Sequence, residues 1–170
     1  ENGQLIPMYH GTAADFTVFD KGHIGGTGRF EGAGFNFASF EGRAMSYDVS
    51  GQGNVFSTYL NITSPISDSE KTLNRTKLTK IVTAIAENED IDGFDSIVFA
   101  IHPPMKRTGR ESFPESLRNT VSYLIDYNES DADIYAAIST LGTYDEAVIK
   151  AFEDQGYDGV IWHDYDGSVK

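Results

Sequence analysis

The chain changes character near its middle, and that change limits its fold more than any single motif does. More than half of its 17 glycines fall between Gly22 and Gly53, in a first half rich in aromatic residues, whereas the second half carries successive helical periodicities. Leu5 to His10 reads as a short strand in which Pro7 favours an edge position or a late start. Phe35 to Ala38 is a second short strand, and Phe40 to Asp48 has helix formers around Gly42. Val55 to Ile62 alternates in the manner of a strand and is expected to end at Pro65. Leu78, Ile81, Val82 and Ile85 then fall on one helical face. Ile97 to Ile101 reads as a buried strand. Capping boxes at Ser112 to Glu115 and Thr143 to Glu146 open two further helices, with Ile134, Ala137, Ile138 and Leu141 forming another between them. Gly156 is the expected cap of the last helix, and Val160 to Trp162 the last strand. The fold class is therefore α+β, in one domain over residues 1–170, with ends that look trimmed from a longer chain. Gly93-Phe94-Asp95 and Gly156-Tyr157-Asp158 echo one another as two uses of one helix-to-strand turn.

Charge and composition remove several functions. With 13 Lys+Arg against 26 Asp+Glu the formal charge is −13, so a nucleic-acid groove is not expected. The chain has no cysteine, which excludes disulfides, thiolate nucleophiles and Cys-based zinc sites. Imidazole chemistry falls to His10, His23, His102 and His163. None of these forms an i, i+4 pair around a Glu, so no metal is expected. No run is long and apolar enough to span a membrane. Gly25-Gly26-Thr27-Gly28 lacks the Lys of a phosphate-binding P-loop and reads as a loop that shapes a ligand cover. Lys106, Arg107 and Arg110 read as a solvated basic turn.

Two segments carry the residue types that a binding site needs. Tyr9-His10-Gly11-Thr12 brings a strand into a His followed by a Gly, so that an imidazole stands beside backbone that another molecule can approach closely. Gly34-Phe35-Asn36-Phe37-Ala38-Ser39 leads into the helix that carries Tyr47, whose ring could cover a flat ligand. Taken singly, each reads better as ordinary structure, a strand-end His bonded within the protein and a Gly-rich turn before a core strand with Tyr47 as a core residue.

Together they resemble the ADP-ribosyltransferase superfamily, in its branch related to poly(ADP-ribose) polymerases and diphtheria-type toxins, and especially the compact domains of phage polyvalent proteins and bacterial toxins. Tyr9-His10-Gly11-Thr12 is similar to that branch's Tyr-His-Gly-Ser/Thr, and Gly34 to Ala38 to its Gly-Ile-Tyr-Phe-Ala. Tyr47 lies eleven residues beyond Asn36, the spacing of the family's two tyrosines. Phe16-Thr17-Val18-Phe19-Asp20 and Ile24 to Gly28 resemble segments of the phage-like members, and Gly156 to Ile161 the passage before the family's last catalytic motif. The resemblance implies a split β-sheet, two short antiparallel sheets clasping an NAD cleft with flanking helices, and ADP-ribose transfer from NAD to a macromolecular acceptor with release of nicotinamide. His10, Tyr47 and Asn36 become the catalytic candidates. Tyr9, His10, Gly11, Thr12, Gly34, Phe35, Asn36, Phe37, Ala38, Ser39 and Tyr47 would line the NAD site. His10 would contact the adenosine-side ribose, Gly11 the nicotinamide amide and Tyr47 the nicotinamide ring.

The sequence also departs from the pattern. Asn36 stands in place of the family's first Tyr, and Ala44 where some members carry Ser. The catalytic Glu has no match up to Lys170; it is expected on a strand beyond the chain's end rather than at Asp164 or Asp166. NAD hydrolysis, an inactive binding module and a ligand-free virion domain stay open as alternatives. Delivery into a target cell or packaging in a phage particle is equally compatible with the lack of Cys.

Overall fold

The structure, a computed structural model, describes residues 5–23, 34–46, 53–87, 113–139 and 145–163. Strand β1 (Met8–Thr12) pairs antiparallel with β2 (Asn54–Thr58), placing His10 opposite Phe56 and Gly11 opposite Val55. Pro7 delays the strand as expected but does not leave it at an edge, because Tyr9 bridges Ala38 on the other side through reciprocal 2.8 Å hydrogen bonds. The expected strand at Phe35 to Ala38 is reduced to this one bridge. Helix α1 (Glu41–Ser46) follows and buries Ala44; Tyr47 lies outside the described residues.

The expected strand from Val55 to Ile62 stops at Thr58, and the chain crosses to a second sheet. Pro65, expected to terminate a strand, instead opens β3 (Pro65–Ser67). A first strand residue is a position where the missing N–H costs no ladder bond. β3 pairs with β4 (Gly159–Ile161), and the pairing is parallel. That corrects the expectation of two antiparallel sheets. The chain between β3 and β4 is a long helical crossover, the connection that a parallel pair requires.

That crossover supplies the core. α2 (Arg75–Ala86), α3 (Phe113–Tyr127), α4 (Asp131–Ser139) and α5 (Asp145–Glu153) surround Ile66, Leu78, Ile81, Ile85, Leu124 and Ile138, all nearly sealed from solvent. Asn74 caps α2 by accepting from the Lys77 N–H at 3.0 Å. A capping box that sequence reading passed over, Ser130 with Asp133, opens α4. Gly156 ends α5 at φ +89°, the left-handed conformation that favours glycine, while the Tyr157 N–H returns to the Phe152 carbonyl at 3.2 Å. The expected strand at Ile97 to Ile101, the turn at Gly93, the basic turn at Lys106 to Arg110, the capping residues Ser112 and Thr143, and Leu141 lie outside the described residues.

Two consecutive residues of the Gly156 turn fix where β4 enters. The Tyr157 hydroxyl meets Thr72 Oγ1 at 3.0 Å and receives a hydrogen bond from Lys77 Nζ at 2.8 Å. Thr72 also donates to buried Asp131, whose carboxylate accepts from the Leu73 N–H at 2.8 Å. Asp158 accepts from the Thr63 N–H and hydroxyl at 2.7 Å each and from the Ser64 N–H at 2.8 Å. Partial desolvation opposes ionisation of Asp158, but the bonds from Thr63 and Ser64 outweigh it and hold the carboxyl below its usual range.

Candidate functional site

A cleft of about 1870 Å³ lies between the two sheets, larger than the roughly 300–1,000 Å³ of a typical small-molecule pocket. One wall is β1 with Gly34 to Ser39; the other is β4 with Phe152 and Glu153 of α5. All of the sequence-derived candidates except Tyr47 line it: Tyr9, His10, Gly11, Thr12, Gly34, Phe35, Asn36, Phe37, Ala38 and Ser39. Residues two segments apart in sequence are thus brought to one surface.

The hydrogen bonding around His10 explains why the second strand fails to form. Tyr9 spends both its N–H and its carbonyl on Ala38, so Tyr9 and Ser57 form a non-hydrogen-bonded pair of the β1–β2 ladder. The alternation of an antiparallel ladder then turns the N–H and carbonyl of Gly11 away from β2 as well, toward the Asn36 side. A continued ladder would match Gly11 with Asn36. Instead His10 Nδ1 takes the Asn36 carbonyl at 2.7 Å. A carbonyl only accepts, so Nδ1 carries the proton and a neutral imidazole presents Nε2 as an acceptor. Among the described residues the Gly11 peptide groups have no hydrogen-bond partner, and they stand on the cleft wall.

Gly11 is required for a second reason, one of space. A Cβ at this position would lie 1.7 Å from the Ala44 carbonyl oxygen, so α1 rests directly on the strand backbone. Successive strand residues face opposite sides, which puts the His10 ring on the face away from α1. There it meets four phenylalanines. Phe19 stands edge-on at 5.2 Å between centroids, Phe37 at 5.4 Å, Phe16 at 6.1 Å and Phe35 at 6.3 Å. Phe16 in turn stacks on Phe56, the cross-strand neighbour of His10, at 4.7 Å. The Phe16-x-x-Phe19-Asp20 spacing thereby acquires a physical role, because both rings reach the imidazole from one strap. Thr12 starts that strap by accepting the Ala14 N–H at 3.1 Å, and Asp20 turns it by accepting the Gly22 N–H at 2.9 Å. Sequence reading quoted these residues without assigning them this packing.

Other groups fall away from the cleft wall. His163 sits beside the end of β3, where Asp68 accepts from both its backbone N–H and its Nδ1 at 2.6 Å. Desolvation raises the Asp68 carboxyl, and the bonds and charge from His163 more than reverse this. Asp164, Asp166, His102 and Gly25 to Gly28 lie outside the described residues. Among the described residues no helix is long and apolar enough to cross a membrane, and no cluster of His, Asp and Glu could hold a metal.

Small split sheets flanked by helices, with a cleft walled by a Tyr-His-Gly-Thr strand end, define an α+β fold of the ADP-ribosyltransferase type. The match is specific within that class. The family model described as ADP-ribosyltransferase in polyvalent proteins covers residues 1–170, and the chain belongs to this family. Neither any curated protein nor any solved structure matches it. ADP-ribosyltransferases use NAD as their substrate, and membership carries a general role in ADP-ribosylation.

Proposed function

We propose that the chain transfers a single ADP-ribose unit from NAD to a macromolecular acceptor and releases nicotinamide. The observation that carries this reading is the pair of Gly11 peptide groups, unpartnered among the described residues, beside a His10 ring locked by the Asn36 carbonyl. A carboxamide has one donor and one acceptor edge, and the Gly11 N–H and carbonyl are its complement. His10 Nε2 accepts a ribose hydroxyl, and Tyr47 stacks on the nicotinamide ring. Asn36 supplies its carbonyl to His10 and its amide to the cleft wall in place of a stacking ring.

Held in this way, the bond between the ribose anomeric carbon and the nicotinamide nitrogen breaks with its electron pair leaving on nicotinamide. The acceptor nucleophile then bonds to the anomeric carbon and loses its proton. Positioning and charge stabilisation supply the rate, with no covalent enzyme intermediate. The transition state resembles an oxocarbenium ion, which a carboxylate steadies, as in glycoside cleavage. Of the acids lining the cleft among the described residues, Asp20 and Asp158 are committed to the Gly22 N–H and the Thr63–Ser64 turn, Glu153 is held by an exposed pair with Lys21, and Asp15 also lines the cleft. That carboxylate is therefore neither Asp20 nor Asp158. The polyvalent-protein family supports action as a phage-borne effector on host macromolecules.

The test is NAD binding by calorimetry and nicotinamide release with host-cell lysate as acceptor, for the parent chain, His10→Ala and Tyr47→Ala. Binding and release that both substitutions reduce by about tenfold or more, with label on a lysate macromolecule, are expected. Release without label would make the activity NAD hydrolysis. A parent chain that binds no NAD would leave an inactive binding module.

A further inference from the structure

A dinucleotide brings a diphosphate to this cleft, and the chain that must accept it carries a net charge of −13. Among the described residues, the Lys and Arg side chains lining the cleft are Lys21 and Arg43. Strand geometry separates them. Arg43 belongs to α1, which rests on the Gly11 face of β1, while the His10 ring points to the opposite face. Lys21 follows Phe19 by two residues on the strap, and the Phe19 ring contacts the His10 ring. Lys21 therefore belongs to the face where a ribose held by His10 Nε2 would carry its 5′-phosphate.

Lys21 is already engaged, and by an anion from across the cleft. Its Nζ lies 2.7 Å from Glu153 Oε1, on α5 and 132 positions away in the chain. Both residues line the cleft, so the pair ties the strap to the far wall at the mouth. The two side chains are 57% and 48% exposed, and an ion pair this open to water is weak. A diphosphate offers the same ammonium group more charge and more acceptor oxygens than one carboxylate does.

We propose that Lys21 is the diphosphate-binding residue of the cleft and that Glu153 is a resident anion, which holds the strap down in the unliganded protein and is displaced when the dinucleotide enters. This rests on the NAD reading above. Entry then costs little, because one charge-assisted contact is exchanged for another. Asp20, the nearest acid in sequence, does not compete by the same route, because its Oδ1 accepts the Gly22 N–H within the strap's own turn.

The experiment compares NAD with nicotinamide riboside, which has the nicotinamide ring and its ribose without the diphosphate and adenosine, and with adenosine, which has the other ribose without the diphosphate, by calorimetry on the parent chain, Lys21→Gln, Glu153→Gln and the double variant. Lys21→Gln is expected to weaken NAD roughly tenfold and Glu153→Gln to tighten it severalfold, with nicotinamide riboside and adenosine unchanged in every variant. The double variant should match Lys21→Gln, because Glu153 acts only through Lys21. Both side chains are exposed, and an unchanged circular dichroism melt checks that each variant folds. NAD binding by the parent with no change in either single variant overturns the assignment and leaves the NAD reading standing. Equal tightening of NAD and of either nicotinamide riboside or adenosine in Glu153→Gln also overturns it, reducing the pair to a steric latch. A parent chain that binds none of the three removes both this assignment and the NAD reading.

Discussion

The helical crossover and the β1 region reach stability by different means. Around Leu78, Ile81, Leu124 and Ile138 the side chains are sealed and aliphatic, with exposures at or near zero. Around His10 the residues are half-buried rings that touch edge to face, and little beyond Met8, Ala38 and Ala44 is fully buried. The first arrangement buries apolar area outright. The second leaves ring faces and backbone groups at a surface that a ligand can complete. Cores supply the global stability of a fold, whereas binding surfaces are drawn from its less stable parts. The division of labour matches the chain's two halves, with the scaffold in the helical half and the cleft's polar contacts in the Gly-rich half.

Substitutions on either side should separate these roles. The largest effect is expected from Leu124→Ala, which empties a fully buried site and should cost about 2–5 kcal/mol. At roughly 2–4 °C of Tm per kcal/mol, the thermal melt should show it while NAD affinity measured well below the melt stays near the parent's. Loss of NAD affinity in step with stability would erase the distinction between the regions. Gly11→Ala is the converse case. Its Cβ overlaps the Ala44 carbonyl, so α1 must shift off β1, at a cost of about 1–3 kcal/mol for overpacking. NAD binding should fall far more than global stability does. A well-folded Gly11→Ala protein with parental affinity would show that the close approach of α1 has no bearing on the site.

The smallest expected effect is acid sensitivity at the joint between the regions. Asp158 and Asp68 both have their carboxyl pKa lowered in the folded chain, through bonds from Thr63 and Ser64 and from His163. A depressed folded value means that the stabilisation is complete above the unfolded value near 3.9, and is lost as pH falls through the lower folded value. The urea midpoint should therefore drop below about pH 4, and less steeply in Asp158→Asn, modestly because both contacts are exposed to solvent. An identical acid slope in that variant would show that the β3–β4 junction does not depend on Asp158.

Much of this was legible in the residues. The apolar spacing of Leu78 to Ile85 gives α2, and Gly156 gives the end of α5 because few other residues accept a positive φ. Tyr9 to Thr12 and Gly34 to Ser39 are recognisable as cleft-forming through their joint resemblance to the ADP-ribosyltransferase motifs, and the structure brings them to one wall. Other features were hidden because they depend on partners distant in sequence. β3 and β4 pair in parallel across the crossover, and the entry of β4 is tied down by Tyr157 and Asp158 reaching Thr72 and the Thr63–Ser64 turn, contacts that no local pattern encodes. Lys21 and Glu153 are ordinary surface charges until the fold sets them 2.7 Å apart.

The sequence by itself determined the α+β class, the helices, the absence of thiol chemistry and the His10-Gly11 strand end, since these rest on composition, on period and on the conformational range of single residues. Only the tertiary structure decided that His10 takes the Asn36 carbonyl and thereby leaves the Gly11 peptide groups without a partner among the described residues. Hydrogen-bond partners are settled by competition among groups brought together in space, and a linear pattern does not record which of them wins.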